Sequence, residues 1–188
     1  MNQGSDLRVA RTRKAIVRAF LELASELDLS KITVKAVAER AEINRKTFYL
    51  HFETIEDLFE SYLNSVMDEF FEHHEETPDK PEDIEGHARR FFLFLARQSS
   101  VVEKLLCAPG RYDFGERIYA TQMARYRAAG NPFGWMPEGE MELVLSFIRT
   151  TALDFYRRWV RDGKLVEPER AADLLAGLTC NGVSHLMR

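Results

Sequence analysis

The stretch from Thr33 to Phe52 reads TVKAVAERAEINRKTFYLHF, and it decides the fold. Thr33 has the short hydroxyl side chain that caps a helix start, and it opens a short helix from Val34 to about Ala41. Val37, Ala38 and Ala41 fall on its inward side. Glu42, Ile43 and Asn44 make a tight connection. Asn44 caps a second short helix that runs to about Leu50, with Phe48 and Phe52 turned inward. Two short helices across so tight a turn form the helix-turn-helix layout, whose second helix enters the major groove of DNA. That second helix begins with Asn44, Arg45, Lys46 and Thr47, donors at the end whose backbone N–H groups favour anions. Arg45 or Lys46 can read guanine O6 and N7, a bidentate pair being worth roughly 1–3 kcal/mol. Tyr49 and His51 add donors for phosphates, while Thr33 both caps its helix and, with Lys35, offers phosphate contacts. The candidate DNA contacts are therefore Thr33, Lys35, Asn44, Arg45, Lys46, Thr47, Tyr49 and His51.

Upstream, residues 8–27 read as an amphipathic helix with Val9, Ile16, Phe20, Leu23 and Leu27 on one face. Arg8 to Arg18 holds five basic residues and no acid. Residues 1–52 carry ten basic and six acidic side chains, a net charge of +4; the other 136 carry sixteen and twenty-four, a net charge of −8. A basic module on an acidic body is the charge pattern of a nucleic-acid-binding end joined to a part with another task. Arg8, Arg11 and Lys14 read as diffuse phosphate attraction.

Downstream, Thr54 and Asp57 have capping-box spacing and open a long helix from about Ile55. Leu58, Phe59, Tyr62, Val66, Phe70 and Phe71 keep one side of it apolar. Nine acids between residues 68 and 85, against Lys80 alone, read as a solvated helix end, a loop and a restart. Further helices are expected near 82–98, 100–107 and 113–129, with a loop at 130–137. Near 138–162, Met141, Val144, Ile148, Thr151, Ala152, Phe155 and Trp159 form a wide apolar stripe. Gly163 is a natural residue just past its end, and Pro168 a natural first position of the last helix. Ala171, Leu174, Leu175, Leu178, Gly182, His185 and Leu186 make the final stripe. No convincing strand is found, so the fold is expected to be all-α.

Hydrophobic residues at 45% and charged residues at 30% exclude a wholly disordered chain. Cys107 and Cys180 lack the spacing of a zinc site and read as inert thiols. His73 and His74 fit no metal motif, and no cofactor or catalytic residue is expected. Motifs of metallopeptidases, α/β-hydrolases, P-loop enzymes and dinucleotide-binding folds are all lacking, which counts against an enzyme. No apolar run approaches the ~18 residues of a membrane span, and no secretory signal is visible, so a cytoplasmic protein is expected.

From about Arg11 to Leu58 the chain resembles the N-terminal DNA-binding domain of the TetR family of bacterial transcriptional regulators. Ile16, Ala19, Phe20, Leu23, Thr33, Val34, Val37, Ala38, Ala41, Ile43, Thr47, Phe48, Tyr49, His51, Phe52 and Leu58 carry the resemblance. Thr47, Phe48, Tyr49, His51 and Phe52 are its most specific part. Trp159, Gly163, Pro168 and Leu175 weakly resemble one group of the family's C-terminal domains. Two positions depart from the family pattern. Glu42 replaces the usual turn Gly, so it must take a non-Gly conformation or shift the turn. Ile55 stands where a phosphate-contacting Lys is usual, and that contact is not carried over.

The resemblance implies a three-helix DNA-binding domain, about 1–52, joined to a helical dimerisation and ligand-binding body, about 53–188. It implies a homodimer on a palindromic DNA operator, most often a repressor released by a small-molecule effector. Phe91, Phe94 and Tyr126 are the candidate effector contacts, in a pocket between helices near 88–98 and 113–126 with 141–156 behind. Val144, Ile148, Phe155, Leu174, Leu178 and Gly182 are the candidate dimer interface. Gly177 and Gly182 inside a helix cost about 1 kcal/mol each relative to Ala, which close approach of a partner helix explains. A helical DNA-binding or interaction module without an effector is the alternative.

Overall fold

A computed structural model describes residues 3–74, 84–108 and 135–183. Among these residues every regular element is helical. In chain order they are α1 (Gln3–Glu26), α2 (Val34–Arg40), α3 (Arg45–Tyr49), α4 (Ile55–His74), α5 (Ile84–Ala96), α6 (Ser100–Cys107), α7 (Glu138–Arg161) and α8 (Pro168–Val183). The helix expected near 113–129, most of the loop at 130–137, and His185 and Leu186 lie outside the described residues. The chain forms two compact units: Met1–Ser65 with Ser99–Ala108, and Val66–Gln98 with Pro109–Arg188.

In the first unit, α1 buries Ile16, Ala19, Phe20, Leu23 and Ala24. That is the i, i+3, i+4, i+7, i+8 stripe of a helix packed on one face. Val9 was expected on this face, yet it is 51% exposed. It lies a full heptad before Ile16, the first residue that the core encloses. Leu27, at the other end of the stripe, is only half-buried. The Phe20 ring stacks on Phe59 of α4 at 4.6 Å and meets Tyr62 edge-on at 6.0 Å. Burying one such ring contributes roughly 1.5–3 kcal/mol. A 3-10 turn, Leu29–Lys31, joins α1 to α2. Thr54 and Asp57 form the expected reciprocal box: Thr54 N donates to Asp57 Oδ2 at 2.9 Å, and Asp57 N to Thr54 Oγ1 at 3.1 Å. Helix α6 buries Val101, Val102, Leu105 and Leu106 in this unit. Its Lys104 Nζ donates to the Ala24 carbonyl, near the end of α1, at 2.7 Å.

In the second unit, α5 and α8 lie against each other along much of their length. Alanines allow it: Ala171, Ala172 and Ala176 are buried on α8, beside Leu175 and Thr179. Arg89 and Asp173 join the two helices at 2.7 Å. The Phe92 ring meets Trp159 at 5.2 Å, Phe155 at 5.9 Å and Tyr156 at 6.0 Å. The Tyr156 hydroxyl, fully buried, donates to the Leu95 carbonyl at 3.2 Å. Helix α7 ends as the sequence predicts, with Gly163 at φ 77. Gly163 N donates to Val160 O and Lys164 N to Trp159 O, the paired bonds of a Schellman motif. Trp159 Nε1 then donates to the Val166 carbonyl at 2.7 Å, and Pro168 opens α8.

The inward face of α7 shares only Met141 and Trp159 with the stripe read from the sequence. The enclosed residues are Met141, Leu145, Leu153, Tyr156 and Trp159, whereas Val144, Ile148 and Phe155 are only half-buried. Leu143 and Phe147, absent from that stripe, are exposed. The helix is apolar over so wide an arc that spacing alone does not say which part faces its own core.

Candidate nucleic-acid interface

Residue by residue, the first unit sorts its polar groups into those that build it and those left outward. Thr33 sits in extended backbone, and its Oγ1 accepts from Ala36 N at 3.2 Å. Asn44 does the same for α3, its Oδ1 accepting from Lys46 N at 2.8 Å. Both caps use side-chain oxygens as acceptors. The Thr33 hydroxyl proton and the Asn44 amide N–H₂ group therefore keep donor capacity, the kind that phosphate oxygens take. Lys35 reaches Glu39 at 3.8 Å, one turn along α2, and both are exposed. Such a pair is worth only about 0.2–0.5 kcal/mol, so it does not withdraw Lys35 from another anion.

The turn between α2 and α3 keeps its tight geometry with a residue that has a Cβ. Glu42 takes the left-handed conformation itself, at φ 55. The expected alternatives, a different backbone conformation or a shifted turn, are not what the chain adopts. Ile43 N donates to the Ala38 carbonyl at 2.9 Å and closes the turn. Left-handed backbone costs a non-Gly residue roughly 1–2 kcal/mol, a strain that the surrounding packing holds.

Five residues suffice to give α3 two faces. Phe48 is fully buried and Phe52, four residues on, is 5% exposed. Their ring centroids are 5.7 Å apart. Arg45, Lys46 and Tyr49 face outward, Thr47 and His51 are half-buried, and Leu50 is exposed. Among the described residues neither Arg45 nor Lys46 has an ion pair. The same holds for Arg8, Arg11 and Lys14 on α1.

Other cations are committed. Arg40 grips Glu26 with both terminal nitrogens, at 2.9 and 2.8 Å, and reaches Glu22 at 3.5 Å. The hydrogen bond from Arg40 holds the Glu26 carboxyl below the usual carboxylate range. The same bond raises Arg40 further above its ordinary value. Arg40 thus ties α2 to α1. Arg13 ties α1 elsewhere: its guanidinium lies 4.5 Å from the Phe52 ring centroid, and Nη2 donates to Ser61 Oγ of α4. Sequence reading found neither role. Arg40 and Glu26 are 14 residues apart on separate helices, Arg13 and Ser61 are 48 apart, and no local period links them.

Phe91 and Phe94 are half-buried and both meet the Phe70 ring, at 5.2 and 5.1 Å. Tyr126 lies outside the described residues. On α8, Leu174 is 38% and Leu178 is 65% exposed, and Gly182 is exposed. Nothing lies within 4 Å of where a Cβ would stand on Gly177 or Gly182. Among the described residues no three His, Cys, Asp or Glu come together as a metal site. Cys107 and Cys180 are half-buried and form no disulfide among the described residues. No described helix is long and apolar enough to cross a membrane.

The family described as bacterial regulatory proteins, tetR family, matches residues 16–62. A Bacillus subtilis protein described as an uncharacterized HTH-type transcriptional regulator, YxbF, is 36% identical over 69 residues. That match takes in 36% of this chain and spans only 18% of the length of that relative. Over the whole fold the chain is similar to NalD of Pseudomonas aeruginosa, secondary repressor of the MexAB-OprM multidrug efflux pump. The TM-score is 0.68 at 19% identity, covering 93% of this chain and 96% of that one. It is also similar to FadR of B. subtilis, solved in complex with stearoyl-CoA. There the TM-score is 0.59 at 18% identity, covering 88% and 96%. Identities this low establish the shared all-α architecture, an N-terminal helix-turn-helix with a helical C-terminal body.

Proposed function

We propose that this chain, a member of the TetR family of transcriptional regulators by its DNA-binding domain, is a cytoplasmic, ligand-responsive repressor that binds a palindromic operator as a homodimer. The observation that carries the reading is the outward face of α3. There Arg45 and Lys46 stand exposed and, among the described residues, without ion pairs beside Tyr49, on a helix locked from behind by Phe48 and Phe52. Unpaired cations and amide donors on a rigid short helix are what base edges and phosphates require. Residues 1–52 read DNA in this proposal, and residues 53–188 dimerise and respond to the effector.

Thr33, Lys35, Asn44, Thr47 and His51 complete the contact set, chiefly toward phosphates. A two-fold operator requires a two-fold protein. The outward Leu174, Leu178 and Gly182 of α8, with Val144, Ile148 and Phe155 of α7, supply an apolar face for that partner. A monomer with such a face bare carries a patch of the kind that marks an interface. Phe91 and Phe94, with Tyr126, are proposed to meet an apolar effector, as the acyl-CoA complex of B. subtilis FadR illustrates for that protein. Effector binding would favour one of two dimer geometries and lower operator affinity.

Selection of bound duplexes from a random DNA pool tests this directly, with a near-palindromic site as the expected product. On that site Lys46→Ala costs about 1–3 kcal/mol and relaxes preference at one position per half-site if Lys46 reads a base edge. It weakens all duplexes alike if Lys46 holds a phosphate. Unchanged affinity for specific and random DNA would remove Lys46 from the interface.

A further inference from the structure

The basic run on α1 is not uniform. Arg8, Arg11 and Lys14 face solvent without an ion pair among the described residues, and Arg18 pairs with Glu22 at 3.7 Å. Arg13 does neither. Its guanidinium covers the Phe52 ring at 4.5 Å and donates to Ser61 Oγ, with no described carboxylate to neutralise it. A planar, weakly hydrated guanidinium suits an aromatic face; a lysine ammonium, compact and strongly hydrated, does not substitute for it there.

What lies beneath that guanidinium matters for DNA. The Phe52 ring is 5.7 Å from Phe48, and the Phe48 ring meets Tyr49 edge-on, also at 5.7 Å. Ring contacts therefore run without a gap from Arg13 to Tyr49 on the outward face of α3. Helix α3 has only five residues, Arg45–Tyr49. A helix this short has no independent stability, so its direction is set by what holds its ends. Asn44 holds the first end. At the other end Arg13 joins three elements with one side chain: α1, the exit of α3 through Phe52, and α4 through Ser61.

We infer that Arg13 is a positioning residue for DNA reading, which fixes the direction in which α3 presents Arg45, Lys46 and Tyr49 without itself touching nucleic acid. This rests on the proposed function. It also separates Arg13 from its basic neighbours, whose part would be electrostatic. A phosphate-binding cation adds to the salt dependence of binding and serves every sequence equally. A positioning cation does neither; it favours only the sequence that the correctly aimed helix can read.

The test uses the full chain, the duplex that wild type enriches from a random pool, and a scrambled duplex, each titrated over a series of salt concentrations. Arg13→Lys keeps the charge and loses the plane. An exposed cation–π contact of about 0.5–1 kcal/mol in each subunit corresponds to a loss of roughly five- to thirtyfold for a dimer on two half-sites. That loss is expected on the enriched duplex alone, with affinity for the scrambled duplex and the salt slope unchanged. Ser61→Ala, which removes only the acceptor, gives a smaller loss of the same kind. Arg13→Lys combined with Phe52→Leu loses no more than Phe52→Leu alone, because both act through one contact.

Wild-type affinity in Arg13→Lys, joined to a shallower salt slope and equal weakening of both duplexes in Arg13→Gln, makes Arg13 a phosphate contact and overturns the inference. A lowered melting temperature with an unchanged ratio of specific to scrambled affinity makes it general scaffolding, and overturns it equally. Should wild type enrich no sequence at all, the proposed function itself fails. Enrichment by wild type with an indifferent Arg13→Lys defeats the positioning role alone.

Discussion

Helices α3 and α8 each bury one face and leave the other outward, but the outward face of α3 is led by cations and that of α8 carries large apolar side chains among polar ones. On α3 the buried Phe48 backs a surface of Arg45, Lys46 and Tyr49. On α8 the buried Ala171, Ala172, Leu175, Ala176 and Thr179 back a surface that includes Leu174, Leu178 and Gly182. Unpaired charge gains most from a polyanion, and bare apolar surface gains most from another apolar surface. Under the proposed function, the first face is for DNA and the second for a second copy of the chain.

The sharpest way to break this contrast is to give α8 the chemistry of a charged face. Leu178→Glu would place two like charges near the two-fold axis of the proposed dimer. Light scattering should then find monomers, and operator affinity should fall by orders of magnitude because one half-site is lost. A dimeric variant that still binds DNA would put the interface elsewhere. A smaller effect is expected in the first unit. Glu42→Gly relieves left-handed backbone at φ 55. It should raise the stability of the folded unit by up to about 1 kcal/mol, offset in part by the greater freedom of Gly in the unfolded chain. Denaturant titration measures it, and destabilisation would mean that the Glu42 side chain contributes more than its backbone costs.

The smallest effect is electrostatic. Arg40 holds the Glu26 carboxyl below its ordinary range through their hydrogen bond. A carboxyl depressed in the folded state stabilises above its unfolded value, and that contribution is lost as pH falls through the folded value. The pair is exposed, so the contribution is slight. Glu26→Gln should therefore trail wild type a little near neutral pH and converge with it in acid. A gap in melting temperature that widened in acid would contradict that sign.

Which parts of the fold were legible follows from the range of the interactions involved. The caps at Thr33 and Asn44, the Thr54–Asp57 box and the Gly163 stop join residues a few positions apart, and spacing reveals them. Helices α2 to α6 and the last two were accordingly placed within a few residues. The burial of Phe48 and Phe52 followed from their i, i+4 spacing behind a polar face. Arg40 with Glu22 and Glu26, and Arg13 with Phe52 and Ser61, join different helices, so nothing periodic marks them. Which arc of α7 faces its own core was not legible, for a related reason. Val144, Ile148 and Phe155 are as apolar as Leu145, Leu153 and Tyr156, and only the helices packed against them distinguish the two sets.

The position of α6 bears on how the protein is made. The first unit includes Ser99–Ala108 although the chain between Val66 and Gln98 belongs to the second. The bond from Lys104 to the Ala24 carbonyl closes a loop of 80 residues. On a ribosome adding about 5–20 residues per second, α1 waits roughly 4–16 s for that partner to be synthesised. In that interval the surface that α6 will cover stays bare, and non-local closure is the slow part of folding. A gene fragment ending at residue 65 would leave it in that state permanently. Adding back residues 99–108 as a separate peptide is the complementation that should restore its cooperative unfolding.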